Sequence, residues 1–365
     1  MISNPFDGMN TMIYLNPHTA RQVCAQAVKR RGVSTEHAKW FANALVDTSL
    51  MGVDTHGLRL LPLYLRELDE GRSHAIPNIH VQRRNGNVMV LDADQALGTV
   101  AGMYAAKLAV QEARSSGIAA VGVGNSNHFG AASVYGLEIA NSGMIGIVTT
   151  SAAARMAPFK GKQPMFGTNP ICFTAPADEQ PFVLDMATSQ ISYSQVKHYR
   201  KLGLSLPLGW ALDKDGNDTA EPDEVVSLSP LGGYKGQGLA MMVQVLSCLL
   251  TGMPLDHQLD HLDTGSFSKG RQIGHFMIAL DISAFTDLRS FQSSLAGLME
   301  TIRSTPAQAG ERINVAGDPQ AQTRRNRLIA GIPASEEEAS VLMAEARLCG
   351  LEVTSVLMNT AEVTV

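Results

Sequence analysis

His56 and Arg59 stand three residues apart in Asp54-Thr-His-Gly-Leu-Arg59. On a helical turn that spacing puts both side chains on one face. An imidazole exchanges protons near neutral pH, and a guanidinium grips a carboxylate through paired N–H donors. Together they suit chemistry at C2 of a small 2-oxo or 2-hydroxy acid. The same spacing is common on solvated helix faces. A second imidazole, His128, lies in Asn125-Ser-Asn-His-Phe-Gly130, a turn-like stretch directly after an apolar run. Loops in that position often carry sites, although a lone turn histidine is more often structural. Gly233-Tyr-Lys-Gly236 opens a helical pattern. A lysine among glycines there can hold an anion, because free N–H groups and the helix dipole favour negative charge. Packing of the helix against a neighbour explains those glycines equally well.

Two other clusters are weaker. Gly122-Val-Gly-Asn-Ser-Asn127 follows a strand but ends in Asn where a Rossmann fingerprint wants Gly or Ala. No acidic residue closes a second strand about 20 residues on. Asp256-His257-x-x-Asp260-His261 has the i,i+4 histidines of a helical metal site. Its flanking Gly252, Pro254 and Gly265 favour a solvated polar loop, so no metal is expected.

Composition narrows the class. Of 365 residues, 45% are hydrophobic and 17% charged, enough for a large core. Lys and Arg number 29 against 34 Asp and Glu, a net charge of −5, so nothing neutralises a phosphate backbone. Nucleic acid is therefore not an expected partner. Four cysteines without a C-x-x-C pair imply reduced thiols and a cytoplasmic setting. Met1–Thr11 has no apolar core, so it does not read as a signal peptide. The longest apolar run, Leu239–Leu250, is broken by Gln244 and Ser247 and falls short of the roughly 20 residues of a membrane span.

Helical periodicity covers Pro17–Arg31, a stretch capped by Ser34 or Thr35 that includes Trp40 and Val46, and the run Leu58–Leu68. Strands are predicted at 88–92, 118–123, 144–150 and 274–280. Residues 170–175 and 182–185 leave no room for a helix between them, which favours antiparallel pairing. Helices are predicted at 98–115, 131–140, 234–250 (buried), 288–303 and 333–349, the last with a Ser335/Glu338 capping box. Leu204–Pro230 reads as a surface excursion. The expected division is an N-terminal helical segment (1–78), a mixed α/β cofactor domain (79–287) and a C-terminal helical segment (288–365) packing on the first.

Five blocks in order carry a resemblance: Asp54–Arg59, Asn125–Gly130, Phe166-Gly-Thr-Asn-Pro170, Asp185-Met-Ala-Thr-Ser189 and Gly233–Gly236. The chain resembles the type-2 malate/L-lactate dehydrogenases, a family that includes sulfolactate and ureidoglycolate dehydrogenases, diketogulonate reductase and a cyclic imino-acid (piperideine-2-carboxylate) reductase. The resemblance implies an α/β fold of α+β character, with NAD or NADP on a mostly antiparallel, non-Rossmann sheet. It also implies a homodimer or higher oligomer. His56 matches the proton-donating histidine, with Thr55 before it where many members have Ser. Arg59 matches the substrate-carboxylate arginine and His128 a second active-site histidine. Thr168 and Asn169 fall near nicotinamide or substrate. Asp185, Met186, Ala187, Thr188, Ser189, Ser192, Tyr234, Lys235, Gly317, Asp318 and Pro319 match cofactor contacts. The expected activity is hydride transfer between nicotinamide and a small 2-oxo or 2-hydroxy acid. Imine reduction on the same scaffold is the alternative, and Gln195, where imino-acid reductases carry an acid, leans against it. A non-catalytic ligand- or metal-binding protein would leave His56, Arg59 and Lys235 without a joint task.

Overall fold

The computed structural model describes residues 13–358; the reading of Met1–Thr11 lies outside them. Strand β1 (Ile13–Leu15) leads into α1 (Pro17–Lys29), whose Asn16 cap accepts from the His18 and Thr19 N–H groups. Ser34, not Thr35, caps α2 (Thr35–Leu50). Two short 3-10 turns, Asp54–His56 and Leu58–Leu60, then precede α3 (Leu61–Asp69). The middle of the chain runs β2 (His80–Asn85), β3 (Val88–Asp92), α4 (Gly98–Ser116), β4 (Ile118–Ser126), α5 (Ser133–Asn141), β5 (Met144–Thr150), β6 (Ile171–Ala175) and β7 (Phe182–Met186). It continues with α6 (Tyr193–Leu202), β8 (Ala211–Leu212), β9 (Ser227–Leu228), α7 (Tyr234–Gln244) and β10 (Ile273–Asp281). Helices α8 (Leu288–Arg303) and α9 (Asp318–Ala330), strand β11 (Ile332–Ala334) and α10 (Glu336–Leu348) close it.

Seven strands form one sheet in the order β2-β3-β4-β10-β5-β6-β7. Every pairing is antiparallel except β3 with β4. This is the mixed α/β, mostly antiparallel arrangement expected, and the absence of a run of βαβ crossovers explains why the Rossmann fingerprint fails. Helices α4 and α5 cover one face of the sheet, and a π turn at Val245–Leu249 after α7 packs on the other. Strand β10, held between both, buries Ile273 to Met277 and Ala279. A second core joins the two ends of the chain: β1 pairs with β11, and Val23, Phe41, Leu61 and Leu342 meet in one cluster.

Three expectations need correction. Residues 234–250 do not form a buried helix. Val243 and Cys248 are buried and Ala240 joins a small core with Met156 and Leu228, but Tyr234, Met241, Met242, Val245, Leu249 and Leu250 are exposed. A helix apolar all round covers the sheet with one side only, and its other side stays open. Residues 204–230 are more than a surface excursion, because Leu206, Ala211, Val225 and Leu228 build a small core with Ile191 and Val196. Finally, α9 and α10 meet the N-terminal helices, but α8 lies against the Ile282–Ala284 turn, where Ser293 donates to Asp178.

Candidate active site

The site begins with a break in the chain. Gly57 is not helical (φ −101°, ψ −139°), so His56 ends one 3-10 turn and Arg59 sits in the next. A Cβ at Gly57 would lie 2.1 Å from Ser49 Oγ, which accepts the Leu58 N–H. Only glycine lets the turn approach α2 this closely. The helical i,i+3 argument therefore fails. Arg59 points outward, 62% exposed, with Nε 3.7 Å from Glu338 of α10.

His56 and His128 are brought together. Their rings lie 5.8 Å apart, tilted by 30°, near enough for one small ligand to meet both. Each commits Nδ1 to a hydroxyl: His56 to Thr55 Oγ1 and His128 to the Tyr64 hydroxyl, both at 2.8 Å. That leaves both Nε2 atoms for a ligand. Burial holds the Tyr64 hydroxyl well above its ordinary range, so Tyr64 stays protonated and is assigned as donor to His128. Tyr64 comes from α3, one helical turn before the buried Glu67.

The two imidazoles have opposite charged neighbours. Burial lowers His56 below its ordinary value, and the Asp185 carboxylate pulls it back up. Asp185 sits on the outermost strand β7 with an accessible edge. The protein crowded around its carboxyl raises it, while the Ser133 N–H, donating at 2.8 Å, and His56 lower it. Burial also lowers His128, and the charges of His56, Arg271 and His275 press it further, well below the ordinary value. A proton is thus favoured on His56 relative to His128.

The first turn of α7 lacks a side-chain cap at Gly233, so its N–H groups are free, with Lys235 and Tyr234 exposed beside them. The stretch after β7 runs alongside: Leu231 N–H donates to the Thr188 carbonyl, and Gln190 N–H to that of Ser229. Met186 and Ala187 are half-buried between these segments and Asp185. Thr188 donates from its N–H and hydroxyl to the Thr168 carbonyl, at 2.8 and 3.0 Å. Val183 N–H reaches the Ala316 carbonyl at 3.4 Å, which sets the Gly317–Pro319 turn against β7. The expected cofactor blocks therefore share one margin of the sheet.

Four predicted residues are otherwise engaged. Asn169 is fully buried and donates to Asp256 Oδ2 at 2.7 Å and to the Ala240 carbonyl at 3.1 Å. Asp256 captures its NH2 group, so Asn169 shapes the turn, while its Oδ1 is buried without a hydrogen-bond partner. Asp318 is spent on Arg303, Gln180 and the Val315 N–H. Ser192 caps α6 by accepting from Gln195 N–H, and Ser189 Oγ donates to the Ile191 carbonyl. Asp256 itself, expected in a solvated loop, has no exposed surface; its Oδ2 also takes the Gly167 N–H and Gln244 Nε2. Among the described residues, no group of three or more His, Cys, Asp or Glu is placed to share a metal ion.

The sequence matches the family model described as malate/L-lactate dehydrogenase over residues 15–343. The chain belongs to that family. Among its relatives, a malate dehydrogenase of Pyrococcus horikoshii is 35% identical over 338 residues, covering 90% of this chain and 93% of the relative. A ureidoglycolate dehydrogenase (NAD(+)) of Escherichia coli K12 is 29% identical, covering 91% and 95%. Of solved structures, sulfolactate dehydrogenase from Methanocaldococcus jannaschii superposes with a TM-score of 0.88 at 29% identity, covering 94% of this chain and 99% of that one. A delta1-piperideine-2-carboxylate reductase from Pseudomonas syringae gives 0.81 at 26%, covering 91% and 99%. This malate/L-lactate dehydrogenase family member is accordingly an oxidoreductase. Sequence reasoning placed Asp185 in the site as a cofactor contact and missed that its charge bears on His56. It assigned no role to Tyr64, one residue of the Leu58–Leu68 helical run; its position eight residues after His56 on an amphipathic face was the available signal.

Proposed function

We propose that this enzyme transfers a hydride between a nicotinamide cofactor and C2 of a small 2-oxo or 2-hydroxy acid. The carrying observation is the pair of imidazoles with opposed electrostatics. His56, beside Asp185, is the group that gives a proton to the C2 oxygen in reduction and takes it back in oxidation. His128 stays neutral. With the Tyr64 hydroxyl donating to Nδ1, its Nε2 carries hydrogen and donates to the same oxygen without ionising. Thr55 fixes the His56 ring.

The residues present fit the cofactor. The uncapped α7 N-terminus with Lys235 suits an anionic phosphate, and 185–189 lead from there to His56. When bound, nicotinamide supplies the hydride chemistry; the protein supplies position and charge. The choice between NAD and NADP, and between an oxo acid and a cyclic imine, is decided by one panel. Pyruvate, 2-oxo dicarboxylates and a cyclic imino acid are offered with NADH and with NADPH, read as loss of reduced-nicotinamide absorbance. Oxo-acid turnover supports the proposal, and turnover of the imine only overturns it in favour of the imine reductase.

The exposed apolar stripe of Tyr234, Met241, Met242, Val245, Leu249 and Leu250 supports a homodimer burying this face. Three fully buried free cysteines, among the described residues, support a cytoplasmic setting. Among those residues no helix is long and apolar enough to cross a membrane.

A further inference from the structure

The regular ladders of β4 stop just short of the site. Toward β10 the pairing ends at Ser126 with Ile273. Toward β3, Ala93 N–H donates to the Gly124 carbonyl and Gln95 N–H to that of Asn125. Asn127 then carries both ladders one step further with its side chain. Oδ1 accepts the Arg271 N–H at 2.9 Å on the β10 side. Nδ2 lies 3.2 Å from the Gln95 and Ala96 carbonyls on the β3 side. An N–H on one side and carbonyls on the other fix which end of the amide is nitrogen. The side chain stands in for one peptide unit, so the main chain is free to leave the sheet and turn.

The residue that the turn delivers is His128. Asn127 has no exposed surface, whereas His128 is half-buried. Gly98, the first residue of α4, leaves no room for a Cβ against the Asn127 and His128 carbonyls, so the main chain of this pair is seated on the helix. Asn127 Nδ2 also lies 3.0 Å from the Arg72 carbonyl and 3.1 Å from Ser73 Oγ. Ser73 Oγ donates onward to Glu67 Oε2 at 3.1 Å. Glu67 and Tyr64 stand at i,i+3 on α3. That helix therefore holds His128 twice, through Tyr64 at the ring and through Glu67, Ser73 and Asn127 at the main chain. We propose that Asn127 is the positioning residue that aims His128 Nε2 at the reacting oxygen, and that Ser73 and Glu67 keep it in register with Tyr64. This rests on the hydride-transfer reading above. A misplacement of about 1 Å at a reacting centre can cost about 10²-fold in rate.

Asn127→Ala, Asn127→Asp and Ser73→Ala are compared with wild type in single turnovers of reduced nicotinamide, using the 2-oxo acid that the wild type reduces fastest. Substrate and cofactor affinities and the thermal midpoint are read alongside. Asn127→Ala is expected to slow hydride transfer about a hundredfold per folded molecule, with both affinities within about threefold. Asn127→Asp fills the same space but offers the carbonyls no donor, so it is expected to be no faster than Asn127→Ala. In a His128→Ala background, Asn127→Ala should cost less than about twofold more, because the group it positions is already gone. Ser73→Ala cuts the link to Glu67 and keeps the amide. About a fivefold loss is expected there, again absent without His128, and this variant carries the test if the Asn127 variants do not fold. A lower thermal midpoint with an unchanged single-turnover rate makes Asn127 a structural residue only and overturns the proposal. So does an undiminished loss in the His128→Ala background, or wild-type speed in Asn127→Asp. A wild-type enzyme inert to every 2-oxo acid with both cofactors overturns the functional reading itself. An active wild type whose rate ignores both Asn127 and Ser73 overturns only this inference.

Discussion

His275 and His128 lie on neighbouring stretches of chain, in contact with the same phenylalanine segment, and do opposite things. In the sheet interior, His275 has no exposed surface and both ring nitrogens are engaged, Nδ1 with Thr150 Oγ1 and Nε2 with Ser126 Oγ, each at 2.8 Å. It stacks on Phe129 with centroids 4.5 Å apart, and burial pushes it down to about 3. At the cleft, His128 has one nitrogen engaged and one left over. The lesson is that a histidine's surroundings, not its burial, separate structure from chemistry. A ring satisfied on both sides is a strut; a ring satisfied on one side is a tool with its handle fixed.

The comparison breaks most sharply at the cleft. His56→Ala removes the proposed proton donor, so turnover should fall about 10²–10⁴-fold with cofactor affinity nearly intact. Steady-state kinetics with a fluorescence titration checks this; a change in KM only would remove His56 from proton transfer. Next comes the strut. His275→Ala leaves Thr150 and Ser126 unpartnered and opens a cavity at Phe129, at a cost of about 3 kcal/mol. Urea unfolding should show this loss, while turnover per folded molecule stays within a few-fold. A smaller effect is expected at Tyr64→Phe. Without the hydroxyl on Nδ1 the His128 ring is free to change tautomer and orientation. About a tenfold loss of kcat is expected with the thermal midpoint little changed; an unchanged kcat would detach Tyr64 from the mechanism.

The mildest test uses pH. His275 titrates at about 3 when folded and near 6.5 when unfolded, so between those values the unfolded chain binds the extra proton. Stability is therefore full above about pH 6.5 and falls as pH drops toward 3, by at most about 1.4 kcal/mol per pH unit from this group. His275→Gln, which can still bond both hydroxyls, should flatten the curve between pH 6.5 and 5. An equally steep curve would assign the acid sensitivity to other groups.

What could be read in the sequence was mostly local. The Ser34 cap and the Ser335/Glu338 capping box depend on residues within one turn, and both form as predicted. The 170–186 hairpin follows from connection length. The site was legible where a residue type and its turn coincide, as at His56 and His128. It was illegible where a distant group decides. Tyr64 meets His128 across 64 positions and Asn169 meets Asp256 across 87. Three-residue strands such as β1 and β11 have no periodicity to read and exist only because they find each other. The shared helical face of His56 and Arg59 misled because the spacing rule assumes a helix, and Gly57 interrupts it.

The pairing of β1 with β11 has a topological consequence. Met358 N–H donates to the Tyr14 carbonyl at 2.8 Å, so positions 14 and 358 are one hydrogen bond apart. The described chain is nearly a closed ring. A circularly permuted enzyme, joined by a short linker across this seam and opened at the exposed Asp215–Gly216 turn, would keep every core contact between α1 and α10 while exchanging where synthesis starts and stops.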